Sequence, residues 1–542
     1  MSQNTQQKLG KALWSTVEEL HGPMKHGDLS PYMLALLCLH YLSDNYEHVA
    51  KMELGSEYPN VDGHDGRSPI SVWYELNSQY QMEFEDKMRR TAHYVIHPQY
   101  LWSNIEYLAR IENSDLLNIL QEGFKYIETE SFQNSFSGLF SEVNPTSDQL
   151  GNNYKECNAK LCTIISRISE CIGQVSTDIT TFGDAYEYLI RQFAARSITK
   201  ASEFYTPQCI SEIISEIVIL DSKDPKNGKR EYLPRVMDFA CGSGSLLLRI
   251  RKHLGSHAIG RMYGQEINFT AYTIARMNML IHGMKAIEFD LYHGDTLTNE
   301  WKMLRDMFPT KKPLFDAIVA NPPFGYKWNP NESMARDIRF NNYGLPPKSF
   351  AEYLFLLHGL HYLKDDGVMA IVMLHAALFR RGSEAKIRRK LVEDRNIDTI
   401  ISLPSRLFHL TGLPACIVVL KKCKKSDDIL FINAAEHYVK GRRVNHLSDA
   451  HIQKIVSTYQ NRPQSIDSYA RRVGINEIIA NDYNLNIARY VSTEVKIDLA
   501  DNHETLMDVE KTIEESTEEH NLFLHELGLP PIGTPMAQTT VG

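Results

Sequence analysis

The residues best equipped for chemistry are Asn321, Pro322, Pro323 and Phe324. They follow the apolar run Ala317-Ile318-Val319-Ala320 and precede Gly325, so they read as a turn leaving the end of a buried strand. Two prolines remove two backbone N–H donors and stiffen the chain, which leaves carbonyls and the Asn side chain as the polar groups. A rigid, acceptor-rich turn of this kind suits an exocyclic amino group on a flat ring. The Asn oxygen and a Pro carbonyl accept from the two N–H bonds, and Phe324 stacks on the ring. The competing reading is an ordinary Asn-Pro turn, common as loop punctuation.

A second group is Asp238-Phe239-Ala240-Cys241-Gly242-Ser243-Gly244-Ser245, at a strand end and opening a helix near Leu246. Its glycines permit a turn tight enough for a ligand to approach the main chain. The dinucleotide fingerprint would need a third glycine where Leu247 stands, which sets a nicotinamide oxidoreductase well behind other readings. Glu266 ends the next strand, where a carboxylate can accept from both hydroxyls of a ribose, and Asp295 ends a third, where it can accept from an adenine amino group. Singly, each acid could be a helix cap or a surface charge. Together they describe an adenosine-like cofactor across a sheet edge. With no pyrophosphate clamp, and a turn made for an amino group, S-adenosylmethionine is the expected cofactor.

The elements that must position these groups can be read around them. Short β-rich runs at 235–238, 262–266, 289–292, 315–320, 368–373, 399–403 and 415–420 alternate with helix-length intervals. That spacing predicts a mostly parallel, doubly wound α/β sheet, which binds ligands at the carboxyl ends of its strands. Residues 1–170 read as helical: Leu34, Leu36, Leu37, Leu39, Tyr41 and Leu42 form one apolar block, and Leu116, Leu117, Leu120 and Phe124 recur at helical spacing. Trp73, Tyr74, Tyr94 and Trp102 are expected in its core. The domains expected are therefore a helical interaction domain over 1–170, a catalytic domain over 171–480 and a helical tail over 481–542. In the tail Val495, Leu499, Leu506, Val509 and Ile513 suggest an amphipathic helix.

At 542 residues, 43% hydrophobic and 23% charged, the chain has a soluble globular composition with no bilayer-spanning tract. The polar start, Met1 to Gly10, lacks a signal-like apolar core, so a cytoplasmic location is expected. Eight cysteines without a CxxC pair argue against a disulfide framework or a metal site. A net charge of −9 is unusual for a stand-alone DNA-binding enzyme, so any nucleic-acid contact must be local or supplied by a partner. Basic clusters at Arg380-Arg381, Lys386 with Arg388-Arg389-Lys390, Lys421-Lys422 with Lys424-Lys425, and Lys440 with Arg442-Arg443 are phosphate-contact candidates or simply charged helix faces.

The order Glu203-Phe204-Tyr205-Thr206-Pro207, then Asp238 to Gly244, Glu266, Asp295 and Asn321 to Phe324 resembles the gamma-ordered amino-group DNA methyltransferases. The resemblance implies a Rossmann-like methyltransferase fold. It places Glu203 to Pro207, with Gln208, at the methionine end of the cofactor. It narrows through Phe182-Gly183-Asp184-Ala185-Tyr186-Glu187-Tyr188-Leu189-Ile190, Leu139 to Val143, Tyr483 to Ile487 and Phe523 to Pro530, which look like the modification subunit of type I restriction-modification systems. That likeness implies transfer of a methyl group to N6 of a flipped-out adenine, protecting host DNA from the cognate endonuclease. The partners implied are double-stranded DNA, a specificity subunit, a second modification subunit and an endonuclease subunit, with no membrane. Phe239 stands where that family often has Pro, and Ser202 where it often has Gly.

Direct transfer needs no covalent enzyme intermediate, so Cys241 and Cys416 read as packing thiols. Without a Pro-Cys dipeptide, cytosine-C5 chemistry is disfavoured. Two rivals remain: a methyltransferase acting on a protein glutamine amide, whose planar amine suits the same turn, and a catalytically idle scaffold of a DNA-bound complex.

Overall fold

The computed structural model describes residues 3–21, 26–61, 67–131, 136–144, 147–173, 179–196, 206–299, 301, 304, 313–330, 332–408, 412–442, 444–491 and helical positions between 511 and 525. Up to residue 173 the regular structure is helical, from Gln3–His21 and His26–Leu54 to Leu116–Glu130 and Tyr154–Gly173. The apolar block at 34–42 lies within His26–Leu54 and is buried on all sides, as expected of a helix without a polar stripe. Trp73, Tyr74, Tyr94 and Trp102 are core residues: the Tyr94 hydroxyl donates to the Leu42 carbonyl at 2.8 Å and the Trp102 indole to Ser169 at 3.1 Å, whereas the Trp73 indole nitrogen is buried without a hydrogen-bond partner.

Ten strands form one sheet: β1 Leu233–Asp238, β2 Ile259–Glu266, β3 Phe289–His293, β4 Phe315–Ala320, β5 Leu363–Leu374, β6 Ile397–Ser402, β7 Ala415–Leu420, β8 Asp428–Asn433, β9 Ser465–Ile466 and β10 Ala470–Gly474. Their order is β3-β2-β1-β4-β5-β7-β6-β8-β10-β9. The five strands from β3 to β5 are parallel neighbours, the half of the sheet that the sequence spacing anticipates. Beyond β5 the sheet is mixed, because β7 runs antiparallel to both β5 and β6, and β10 antiparallel to β8.

Strands β8, β9 and β10 are additions to the sequence reading. β8 follows a charged run, Lys421 to Asp428, that masks its start, and β9 and β10 form a short edge hairpin whose Arg471 and Arg472 break the apolar pattern. Such short, charged edge strands protect a sheet from further pairing.

Both faces of the central strands are covered. In β4, Ala317 and Val319 join the core shared with the N-terminal helices, while Phe315, Ile318 and Ala320 join a second core with the helix Glu352–Tyr362. From Ala317 to Ala320 the alternation is the period of two expected of a strand, Phe315 being set out of phase by the register shift before Ala317, and burial on both sides explains the continuous apolar run. The helical region is tied to the helix Phe269–Ile281: Thr270 donates to Glu142 at 2.8 Å and Arg276 to the Ser137 carbonyl at 2.9 Å. Among the described residues no helix is long and apolar enough to cross a membrane. Of the tail spacing, Ile513 lies in a helix; Val495, Leu499, Leu506 and Val509 lie outside the described residues.

Candidate active site

The neighbouring parallel strands β2, β1 and β4 bring Glu266, Asp238 and Asn321 to one edge of the sheet. At the end of β1 the chain turns through Gly242 and Gly244, whose φ values of 52° and 78° lie in the left-handed region that side chains disfavour. Backbone and side-chain bonds staple the turn. Gly244 N–H donates to the Cys241 carbonyl at 2.8 Å, Cys241 N–H to the Gln265 carbonyl at 3.0 Å, and Asn278 Nδ2 to the Ser243 carbonyl at 2.9 Å. Glu266 closes it from β2: Oε2 accepts from Gly242 N–H at 2.9 Å and Oε1 from Asn268 N–H at 2.8 Å.

Asp238 is 0% exposed, with Oδ1 accepting from Ala240 N–H at 3.0 Å and Oδ2 buried without a partner. Burial, reinforced by the nearby Glu266 carboxylate, pushes its carboxyl from 3.8 up to about 8. Burial also raises Glu266, against the backbone N–H groups that favour its charged form. Between about 4 and about 8 the folded chain therefore holds a proton on Asp238 that the unfolded chain has lost. Stability from this group is full below pH 4 and declines as pH rises through that window. Urea unfolding of the wild-type chain across this range is expected to show the decline, and Asp238→Asn to flatten it. Parallel profiles for the two would contradict it.

The Asp295 turn is fixed to the same edge. Gly294 N–H donates to the Glu266 carbonyl at 2.9 Å, Leu297 N–H to Asp295 Oδ1 at 2.8 Å, and the Thr296 hydroxyl to the Phe239 carbonyl at 2.6 Å. At the end of β4, Asn321 Nδ2 donates to Thr206 Oγ1 at 3.2 Å, while Asn321 Oδ1 is buried and has no hydrogen-bond partner. Phe324 stands edge-on to Phe408, with ring centroids 5.0 Å apart at 82°.

A cavity of about 330 Å³ lies beside these groups; Pro322, Phe324 and Phe408 are not among the residues that line it. Thr206, Glu266, Asp295, Asn321 and Pro323 line it, with Phe239, Gln265, Ile267, Tyr326 and Phe355. No described lining residue is Lys or Arg, so the wall offers oxygens and aromatic faces and no clamp for phosphate. The volume falls in the range of small-molecule sites.

The other sequence-read positions are placed around this wall. Asp238, Gly242, Ser243 and Gly244 build the turn and are not among the lining residues. Pro207 caps the helix Gln208–Val218, and Gln208 accepts from Arg191 at 3.0 Å. Pro322 is buried. Glu203, Phe204 and Tyr205 lie outside the described residues. Phe408, Tyr326, Phe355 and Gln265 were not singled out from sequence. Gln265 precedes Glu266 and could have been found by extending the strand-end logic one residue; Phe408 comes from beyond β6, which β5 and β7 separate from β4, and carries no local signal.

Several basic clusters are structural. Arg388 is buried and donates to the carbonyls of Tyr483, Ala377 and Arg380, Arg380 pairs with Glu352 and Glu384, and Lys421 is buried near Asp398. Arg381, Lys386, Lys425, Lys440 and Arg442 are exposed. The motif Phe182–Ile190 has a docking role: Asp184 pairs with Lys252 at 3.2 Å and Glu187 with Arg249 at 3.4 Å, on the helix Ser245–Leu254 that follows the glycine turn. Cys241 and Cys416 are buried, and burial raises both thiols.

Residues 177–498 match the family described as N-6 DNA Methylase, and residues 9–168 the HsdM N-terminal domain. The chain is 33% identical over 513 residues to the type I restriction enzyme MpnII methylase subunit of Mycoplasma pneumoniae, covering 91% of each chain. It is 28% identical to the MjaVIII methylase subunit of Methanocaldococcus jannaschii, over 92% of this chain and 81% of that one. Among solved structures, the type I restriction-modification methyltransferase subunit from Streptococcus thermophilus superposes with a TM-score of 0.79 at 33% identity. That match covers 90% of this chain and 100% of the other.

Proposed function

This chain belongs to the N-6 DNA methylase family, among the methylase subunits of type I restriction enzymes, and from that premise we propose that its cavity holds S-adenosylmethionine beside an adenine lifted out of double-stranded DNA. It is a DNA adenine-N6 methyltransferase. The observation that carries the site assignment is the buried, unpartnered Asn321 Oδ1, held on the cavity wall by the bond from its own amide to Thr206.

The residues present fit the cofactor. Glu266 spends one lone pair of each oxygen on the backbone, which leaves two for ribose hydroxyls. Asp295 on the same wall would take the adenine amino group, and the oxygen-rich, base-free lining suits a sulfonium cation. Bound there, the cofactor supplies the methyl group. Asn321 Oδ1 and the Pro322 carbonyl accept from the target amino group, drawing its N–H bonds out of the ring plane so that the nitrogen lone pair localises. Holding the reacting atoms at contact distance supplies much of the remaining acceleration. Phe324 and Phe408 offer aromatic surface for the extruded base and offset part of the few kcal/mol of unstacking.

The partners we assign are double-stranded DNA, a specificity subunit that selects the site, a second copy of this subunit and an endonuclease subunit. Methylation by this complex protects host DNA from its own nuclease. The test is methyl-label transfer by the chain assembled with its specificity subunit. Label is expected in N6-methyladenine after digestion of the DNA to nucleosides. Label recovered in a protein glutamine instead, or cofactor binding without transfer to either, would refute the assignment.

A further inference from the structure

We propose that Arg339 is a positioning residue that sets Asp295 to recognise the adenine amino group of the cofactor, an inference that rests on the cofactor reading above. Arg339 lies in the segment that follows the Asn321–Phe324 turn, yet its guanidinium is buried against a different strand end, and the residue is 3% exposed. Its five N–H donors all have acceptors. Nε reaches both oxygens of Asp337 at 3.1 and 3.0 Å. Nη1 donates to the Thr296 carbonyl at 2.8 Å and to His358 Nδ1 at 2.8 Å. Nη2 donates to the Leu297 carbonyl at 2.7 Å and to Asp337 Oδ2 at 2.7 Å.

Two successive carbonyls of the turn bearing Asp295 are thus gripped by one planar fork, whose geometry Lys cannot reproduce. Leu297 in turn donates its N–H to Asp295 Oδ1, so the guanidinium fixes the peptide that orients the carboxylate. Thr296 carries the hold onward to Phe239 in the glycine turn. The far anchor is equally fixed. His358 is 0% exposed on the helix Glu352–Tyr362, and burial, reinforced by the Arg339 charge, keeps it neutral, which leaves Nδ1 an acceptor. One side chain therefore links the segment after the methyl-acceptor turn to the adenine end of the cofactor cavity.

The test uses full-length chain and two probes, S-adenosylhomocysteine and S-inosylhomocysteine, which differ by an amino group replaced with a carbonyl oxygen. Wild type is expected to bind the adenosyl probe about tenfold tighter, the worth of about one hydrogen bond to a charged group. Asp295→Asn should bring the two near parity. Arg339→Met should lower the ratio to within about threefold, Arg339→Lys should fall between, and Arg339→Met should lower it no further in the Asp295→Asn background. A structural role alone would weaken both probes equally and preserve the ratio, and that result overturns the proposal. If Asp295→Asn itself preserves the ratio, the adenine reading fails instead. Should Arg339→Met unfold below assay temperature, Asp337→Asn, which loosens the fork from its exposed side, is read in its place. A reduced ratio supports the role and an unchanged ratio overturns it.

Discussion

Asn321→Ala is expected to lower methyl transfer to DNA by on the order of 10²–10³-fold, the cost of losing one preorganised hydrogen-bonding group in a desolvated site. S-adenosylhomocysteine should still bind within about threefold of wild type, because Glu266 and Asp295 act from other strand ends. The asymmetry follows from the wiring of the amide. Nδ2 is committed to Thr206, and Oδ1 is the group without a partner, so removing Asn321 deletes an acceptor for the target amino group and nothing the cofactor needs. Thr206→Val keeps the acceptor but releases the amide from its anchor. Its expected loss is smaller, about tenfold, because the correct orientation is then one of several. Single-turnover label transfer with the assembled complex measures both. An Asn321→Ala complex methylating DNA at near the wild-type rate would remove Asn321 from the role assigned to it.

In the parallel half of the sheet β4 and the second half of β5 were legible because they are buried on both faces and so read as continuous apolar runs, β4 ending just before Asn321. Strands β1, β2 and β3 carry exposed positions and were legible from their spacing between helices. The strands past β5 obey weaker rules. β7 enters the sheet between β5 and β6 and reverses its direction, a topology that no local pattern encodes. The acids at strand ends were legible as residues, since their spacing tracks the strands, but their hydrogen bonds were not. Sequence suggests that Glu266 reaches a ribose; the fold adds that it first accepts from two backbone N–H groups and so shapes the glycine turn as well. Arg339 was invisible for the same reason. Its partners Thr296, Leu297 and His358 are 19 to 43 residues away along the chain. The basic clusters stayed open from sequence, because adjacency of Lys and Arg says nothing of whether a charge points outward, as Arg381 does, or inward, as Arg388 does.

The double duty of Glu266 makes it the residue whose loss should most damage cofactor binding. The residue is 9% exposed, and its carboxylate accepts from Gly242 and Asn268 at opposite oxygens. Glu266→Ala removes the two remaining acceptor positions proposed for the ribose and leaves both N–H groups without their partner. With hydrogen bonds to a charged acceptor worth about 1.5–3 kcal/mol each, the expected fall in affinity for S-adenosylhomocysteine is about 100-fold or more. Glu266→Gln should recover little of it, although it preserves volume and one oxygen. The two backbone donors approach opposite ends of the group, so whichever way the amide is turned, its NH₂ faces an N–H. Glu266→Asp keeps the charge on a shorter stem and should fall between the two. Calorimetric titration of the three variants gives the order, with melting temperature recorded to separate lost contacts from a collapsed turn. Binding by Glu266→Gln within about threefold of wild type would mean that the carboxylate serves the turn alone, and the ribose contact would have to be sought elsewhere on the cavity wall.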